Sequence, residues 1–254
     1  MMNDRKKIIL IALYAIMIVA IHIMHPGDAE FYWNLTTAVN IVTAIIPIFI
    51  GLVAIRHFGI SSLQGKSILF IVLMIISWLV ADVIWTLSGD ALVSAADIFY
   101  LAGYPLLMIA IVYGIMIIDP DILTEKKKIL MLSLISVILV AAYFSFFTFS
   151  WDPEITFLEN VLVGGYVVAD ILIIIPTLFL ISNVLSGTFS KPWLFIAAAN
   201  LLNLVGDIIY NINYETYAGG DPLDLTWYIA YLLYGAAFIV MIHETGKITS
   251  ALKK

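Results

Sequence analysis

The sequence predicts an all-α integral membrane protein that crosses the bilayer with eight helices. Hydrophobic residues make up 63% of its 254 residues and charged residues only 12%, whereas soluble domains carry roughly 25% charged residues. Eight apolar segments are each long enough to cross a hydrocarbon layer of ~30 Å, which takes ~20 helical residues. Basic residues fall in alternate connections between these segments. Little of the chain lies outside the segments, so we expect a single membrane domain, 1–254.

The eight helices are predicted to follow one another through short connections. The apolar stretch that starts at Ile8 is longer than that of a secretory signal, and no small-residue cleavage site follows it, so we expect an uncleaved first helix. The fourth and eighth helices are expected to start near Asp97 and Asp224, because Ser94 and Asp221 stand three residues ahead as capping residues. The predicted spans are about 7–24, 36–56, 66–88, 97–118, 128–149, 158–181, 192–212 and 224–243.

The charge pattern predicts the orientation in the cell membrane. Short cytoplasmic loops of membrane proteins are enriched in Lys and Arg, and all twelve basic residues fall on one predicted side. Both termini are therefore expected to be cytoplasmic. The basic residues are Arg5, Lys6, Lys7, Arg56, Lys66, Lys126, Lys127, Lys128, Lys191, Lys247, Lys253 and Lys254. The alternate connections hold acids, namely Asp28, Glu30, Asp90, Asp152, Glu154, Glu215 and Asp221. The net charge of −6 gives no sign of nucleic-acid binding, and the absence of Cys excludes disulfides and thiolate metal sites.

Two halves of the sequence resemble each other. Residues 66–85 align without a gap on residues 191–210, which pairs Lys66 with Lys191 and Asp82 with Asp207. Residues 97–104 align in the same way on 224–231. The sequence therefore predicts two parallel four-helix repeats, 1–120 and 121–254, related by an axis along the membrane normal. The alternative is that any two Leu- and Ile-rich segments look alike.

Polar residues inside the spans indicate a binding chamber. An acid in a transmembrane helix is costly and usually faces the bundle interior or a water-filled cavity. Helical spacing places Trp78, Asp82 and Trp85 on one face of the third helix. The corresponding face of the seventh helix carries Asn200, Asn203, Asp207, Tyr210 and Tyr214. We expect an outward-facing chamber for a small ligand or cation between these faces; the alternative is that the acids only hold helices together.

Further candidates lie on the fourth, sixth and eighth helices. Tyr104, Trp227 and Tyr231 are expected to line the same chamber or, alternatively, to form an interfacial aromatic belt. Glu159 and Asp170 are three turns apart on the sixth helix and so share a face. With the seventh-helix residues they could form a descending polar ladder for protons or cations, or merely hydrogen-bond between helices.

The evidence for a metal site or an enzyme is weak. His22 and His25 are spaced i, i+3 near the outer end of the first helix, and imidazole is a zinc ligand. The second half has no equivalent pair, and ordinary interfacial histidines explain the spacing as well. No phosphate-binding loop, nucleophile elbow or metalloprotease motif is present. We therefore predict no cofactor and no catalytic activity.

The stretch "SAADIFYLAGYPLLMIAIVYG" (94–114) suggests a family. It resembles the multi-helix membrane sensor regions found ahead of diguanylate-cyclase and histidine-kinase domains, which combine a Trp/Asp helix with an Asp-x-x-Tyr-Leu-x-x-Tyr-Pro motif. The resemblance covers about a third of the chain. It rests on Trp78, Asp82, Trp85, Asp97, Tyr100, Leu101, Tyr104 and Pro105. It implies an input module, and since no output domain follows within these residues, we expect a separate signalling partner protein.

The sequence thus favours a ligand- or cation-binding sensor or receptor in the lipid bilayer. The alternative is a secondary transporter or channel for protons, metal ions or small solutes. Pro47 and Pro176 at matching positions and the deep Asp170 favour that alternative.

Overall fold

The computed structural model describes residues 4–88, 93–118, 125–146, 154–184, 190–214 and 216–251. Within these ranges the chain forms eight α-helices, each long and apolar enough to cross a membrane, which confirms the all-α class and the predicted number of apolar helices. The helices are α1 (Asp4–Met24), α2 (Ala29–Phe58), α3 (Leu63–Ser88), α4 (Ala96–Ile118), α5 (Lys126–Phe146), α6 (Phe157–Val184), α7 (Ser190–Asn213) and α8 (Asp224–Ala251).

Several helices extend beyond the apolar segments that predicted them. α2 begins seven residues before the predicted start at 36, because Asp28 caps it and accepts a hydrogen bond from the Phe31 N–H at 2.8 Å. α8 continues past 243 to Ala251. Hydropathy marks only the apolar part of a helix, so polar turns at either end are missed. Several residues of the charge pattern lie outside the described residues: Asp90, Asp152, Glu215, Lys253 and Lys254.

Six helices form a closed ring in the order α2, α3, α4, α6, α7 and α8, with α8 returning to α2. The two remaining helices pack on the outside of this ring. α1 contacts α8 and also α2, where the Tyr14 hydroxyl lies 3.2 Å from Thr43 Oγ1. α5, which corresponds to α1 in the predicted second repeat, contacts α6.

One end of the ring is filled by apolar side chains. Trp193 at the start of α7 is 2% exposed and packs against Gly114 of α4, where an added Cβ would come within 2.2 Å of the indole. Phe238 and Tyr234 of α8 are fully buried in the same cluster. This end is the one where α4 and α6 finish and α3 and α7 begin. The buried polar side chains at this end include Ser67, which donates to the Ala110 carbonyl at 2.8 Å, and Glu244.

The outer helices present apolar side chains to their surroundings. On α1, Ile9 and Ile16 are 56% and 65% exposed, and on α5 Leu130 and Val137 are 70% and 65% exposed. Such rows of exposed aliphatic residues are unusual on a water-soluble monomer. They suit contact with lipid chains.

Candidate functional site

A cavity of about 190 Å³ lies at the end of the ring where α3 and α7 finish and α4 and α8 begin. All six ring helices and the α7–α8 loop contribute to its wall, which we call the chamber. Because Ser94, Gly219 and Gly220 in the loops line it, the chamber reaches the end of the bundle. The structure brings eight of the candidate residues to its wall: Asp82, Trp85, Tyr104, Asn203, Asp207, Tyr210, Trp227 and Tyr231.

Asp82 is held by aromatic donors from two helices. The Tyr100 hydroxyl of α4 donates to Asp82 Oδ1 at 2.6 Å, and the Tyr231 hydroxyl of α8 donates to Oδ2 at 3.2 Å. Asn40 of α2 lines the chamber as well. Asp82 therefore joins α3 to α4 and to α8.

Asp207 has the matching set of partners. The Trp227 indole N–H of α8 donates to Asp207 Oδ1 at 2.9 Å, and the Tyr104 hydroxyl of α4 donates to Oδ2 at 3.0 Å. The buried Asp170 of α6 lies near enough to Asp207 for the two charges to interact. Each acid thus receives one aromatic donor from the next helix in sequence and one tyrosine from the other half of the chain.

Asp97 and Asp224 act at helix starts, as the sequence predicts, and also reach the chamber. Asp97 Oδ2 accepts from the Ser94 N–H at 2.7 Å, while its Oδ1 accepts from the Tyr166 hydroxyl of α6. Asp224 Oδ2 accepts from the Gly220 N–H at 2.8 Å, and Oδ1 accepts from the Tyr217 hydroxyl at 2.7 Å. Both carboxyl groups therefore stabilise a helix N-terminus and orient a tyrosine of the chamber wall.

The α7–α8 loop closes one side of the chamber. The Tyr32 hydroxyl of α2 donates to the Gly220 carbonyl at 2.7 Å, and Gly220 has φ +86°, a conformation that favours glycine. The ring of Trp33 occupies the place where a side chain at Gly219 would lie, with 2.1 Å to an added Cβ. Burial beside Asp224 raises the pKa of the Tyr217 hydroxyl well above its usual value. Tyr217 consequently stays neutral and donates its hydrogen bond.

Aromatic rings surround the entrance of the chamber. Tyr217 lies 5.1 Å from Tyr210, 6.1 Å from Trp85 and 6.2 Å from Trp227 between ring centroids. Trp33 adds a further contact, 6.0 Å from Trp85. These separations are typical of interacting aromatic pairs. The five rings form a continuous rim.

The chamber is acidic and aromatic. Four aspartates and eleven tyrosine or tryptophan side chains line it, and the described lining residues include no Lys, Arg or His. Carboxylates and the faces of aromatic rings both attract positive charge. The wall therefore suits a cation.

Three candidate residues lie away from the chamber wall. Asn200 is buried in the core, where its amide donates to Thr177 Oγ1 at 3.0 Å and its carbonyl accepts from the Tyr234 hydroxyl. Asp170 is 3% exposed and does not line the chamber. Glu159 is exposed and caps α6, accepting from the Thr156 N–H at 2.6 Å. Neither Asn200 nor Glu159 is hydrogen-bonded to Asp170 or Asp207 in these contacts. Asn200, Asp170 and Glu159 therefore do not form the predicted polar ladder beside Asp207.

The sequence places Asp170 about 20 Å below the outer end of the sixth helix. Asp170 lies 13 residues into α6, or ~20 Å at 1.5 Å per residue, whereas α7 ends six residues, or ~9 Å, after Asp207. Val167 and Ile171, on either side of Asp170, nevertheless pack in one cluster with Ile208 of α7. The first turn of α6, including Glu159, therefore projects beyond the end of α7.

His22 and His25 do not form a helical pair of ligands. His22 is 1% exposed, and its Nδ1 lies 2.9 Å from the Ile18 carbonyl. α1 ends at Met24, and His25 has φ +43°. The His25 ring lies 4.5 Å from the Tyr32 ring and the His22 ring 6.3 Å from it, so the tyrosine contacts both imidazoles. Across the described ranges, no group of three His, Cys, Asp or Glu side chains is placed to hold a metal ion.

Some wall residues were missed as candidates. Asn40 lies on a Thr36–Asn40–Thr43–Pro47 stripe that the sequence shows, so its inward position could have been predicted from spacing. Trp33 and Tyr217 lie near or outside helix ends, where periodicity gives no signal. Comparison with protein-family models, curated proteins and solved structures finds no match to this chain.

Proposed function

We propose that this polytopic membrane protein is a receptor that binds a small organic cation in the chamber. The observation that supports it most is the pairing of Asp82 and Asp207 within an aromatic wall whose described residues include no Lys, Arg or His. A cation placed between them is attracted by both carboxyl groups and by the rings. Cation–π contacts are worth ~2 kcal/mol or more where water is excluded.

The chamber volume limits the size of the ligand. A protein cavity of ~150 Å³ is large enough to hold benzene, and the chamber measures about 190 Å³. A ligand that fits it has roughly the size of a small amine or quaternary ammonium compound. Larger ligands would have to displace the aromatic rim.

An organic cation fits the wall better than a bare metal ion. A metal ion needs several free oxygen or nitrogen ligands, but the oxygens of Asp82 and Asp207 already accept hydrogen bonds from Tyr100, Tyr231, Tyr104 and Trp227. A cation whose charge is spread over alkyl groups makes no such demand. It is attracted by the rings and by the net negative charge.

The receptor function agrees with the resemblance to membrane sensor regions. Three residues on which that resemblance depends, Asp82, Tyr100 and Tyr104, line the chamber. In this proposal the chain is two parallel repeats whose matching acids face one chamber, and a separate partner protein transmits the signal. The equivalent contacts of Asp82 and Asp207 support the repeats within the six-helix ring. The basic residues at the other end of the helices support cytoplasmic termini and an outward chamber.

Calorimetric titration of the full chain in detergent tests this function. Tetramethylammonium and choline are the probes, with sodium at the same ionic strength as the control. We expect Asp82→Asn and Asp207→Asn to weaken probe binding at least tenfold, because a hydrogen-bonded or paired charge is worth ~1.5–3 kcal/mol and 1.4 kcal/mol corresponds to tenfold. The matched control is Glu159→Gln, an exposed acid outside the chamber. Equal affinity in all three variants would refute the site.

A transporter is the second candidate. The buried Asp170, together with Pro47 and Pro176 inside α2 and α6, favours it, because intramembrane acids mark ion pathways. Proteoliposomes loaded with a pH-sensitive dye should then show probe-driven proton flux that Asp170→Asn abolishes. Flux that is absent, or unchanged in that variant, would exclude transport by this route.

A further inference from the structure

One amide in the wall of the chamber has a donor that no described residue uses. Asn203 of α7 is 5% exposed and lines the chamber. Its Nδ2 is buried and has no hydrogen-bond partner among the described residues. A buried donor without a partner destabilises a folded protein, and most such groups in native proteins are paired. The Asn203 donor is therefore open to an acceptor that comes from outside the chain.

Two other asparagines of α7 show how the chain satisfies an amide by itself. Asn213 donates to the Ile209 carbonyl, four residues earlier on the same helix, at 2.9 Å. Asn200, one turn before Asn203, donates to Thr177 Oγ1 of α6 at 3.0 Å. The Nδ2 of Asn203 makes neither kind of bond. Because the terminal torsion of an asparagine side chain is broad, a small rotation presents this Nδ2 to a molecule in the chamber.

The matching position in the other half of the chain has no free donor. The alignment of the two halves pairs residue 78 with residue 203. Trp78 also lines the chamber, but its indole N–H donates to the Tyr100 carbonyl at 3.0 Å. Its ring lies 5.9 Å from Tyr104 and 6.4 Å from Tyr231 between centroids. At this level the chamber is therefore aromatic on the α3 side, whereas it has an unused amide on the α7 side.

Asn203 and Asp207 share one face of α7. They are four residues apart, which corresponds to a rise of ~6 Å along the helix. Since α7 ends at the open end of the chamber, Asn203 lies deeper than Asp207. The same face thus offers a carboxyl group for a positive charge and, one turn deeper, an amide donor for an acceptor.

We propose that the chamber selects organic cations that carry an oxygen acceptor a short spacer away from the charge, and that Asn203 donates to this oxygen. This inference rests on the proposed cation-binding function and names the class of ligand within it. Charged amino ethers and amino alcohols belong to that class. Purely alkyl cations leave the Asn203 donor unpaired and bind more weakly.

Two cations of equal length test the donor. Methoxyethyl-trimethylammonium and n-butyl-trimethylammonium differ by one ether oxygen in place of a CH2 group, and an ether oxygen only accepts hydrogen bonds. Calorimetric titration of the full chain in detergent gives the ratio of their dissociation constants. Burial of the extra CH2 group alone favours the butyl cation by about fourfold. We nevertheless expect the unsubstituted chain to bind the ether cation at least as tightly, because Asn203 donates to its oxygen.

Variants of Asn203 should reverse this preference. Asn203→Leu removes the donor at similar volume and should shift the ratio towards the butyl cation by at least about fivefold, since an acceptor buried without a donor is penalised. Asn203→Ala also lacks the donor, is smaller, and keeps the test valid if Asn203→Leu fails to fold. The matched control is Asn213→Leu, which removes an exposed amide of the same helix outside the chamber wall. It should leave the ratio unchanged.

The outcomes separate this inference from the receptor function. A shift in the Asn203 variants but not in Asn213→Leu supports the inference. Binding of both cations with a ratio that the Asn203 variants do not change overturns it, and the receptor function stands. A fourfold or greater preference of the unsubstituted chain for the butyl cation, as expected from the CH2 group alone, also overturns it. If neither cation nor tetramethylammonium binds, the receptor function is refuted together with this inference.

Discussion

Replacing Tyr231 by Phe should weaken the link between the two halves of the chain by a measurable amount. The Tyr231 hydroxyl donates across the chamber to Asp82 Oδ2 at 3.2 Å, and Tyr231 is 4% exposed. Charge-assisted O–H···O⁻ bonds are typically ~2.5–2.7 Å long, so this one is long. Asp82 also keeps its shorter bond from Tyr100, at 2.6 Å. We therefore expect the interaction between Tyr231 and Asp82 to contribute ~0.6 kcal/mol, the average for hydrogen bonds between transmembrane helices, and at most ~1.7 kcal/mol.

A double-mutant cycle measures this interaction. The free energy of unfolding in mixed micelles is determined for the unsubstituted chain, Tyr231→Phe, Asp82→Ala and the double variant. The control cycle combines Tyr231→Phe with Glu159→Ala, whose positions do not touch. Distant substitutions add within ~0.3–0.5 kcal/mol. A Tyr231–Asp82 coupling no larger than that of the control would refute the inward placement of Asp82.

Three further outcomes follow from the geometry. Gly220→Ala should lower the free energy of unfolding by roughly 1–2 kcal/mol, the cost of a left-handed conformation in a residue with a Cβ, because Gly220 has φ +86°. The control is Gly165→Ala, at a helical position where an added Cβ has no neighbour within 4 Å. It should raise the free energy of unfolding slightly in the same assay. Tyr234→Phe should cost up to ~1.7 kcal/mol, because it removes the donor to the buried Asn200 carbonyl; no loss would contradict that bond. Glu159→Gln should leave tetramethylammonium affinity unchanged in calorimetry, and a tenfold loss would return Glu159 to the site.

The helix content and the inner faces could be predicted because both depend on local patterns. Hydropathy over ~20 residues identifies apolar helices, and the 3.6-residue period placed Asp82 and Trp85 on one face with no knowledge of their neighbours. The pairing of Tyr104 with Asp207 was beyond such reasoning, because it depends on the order of helices in the ring.

The errors have equally physical causes. Glu159 shares a helical face with Asp170, but periodicity does not give the height of a residue relative to another helix, and the start of α6 projects beyond α7. His25 was placed one helical turn after His22, yet α1 ends at Met24 and His25 has a left-handed conformation, so the two residues do not share a helical face. Axial offsets and helix ends are both set by tertiary contacts and loops.

The aromatic wall of the chamber lowers the entropic cost of binding a small ligand. Tyr and Trp side chains each rotate about only two bonds, and Tyr100, Trp227 and Tyr217 are already held by hydrogen bonds to Asp82, Asp207 and Asp224. Immobilising a freely rotating side chain on association costs ~0.5–1.5 kcal/mol. These side chains are already immobilised in the folded protein. Even a ligand with few atoms can therefore bind them without the entropic cost of ordering them.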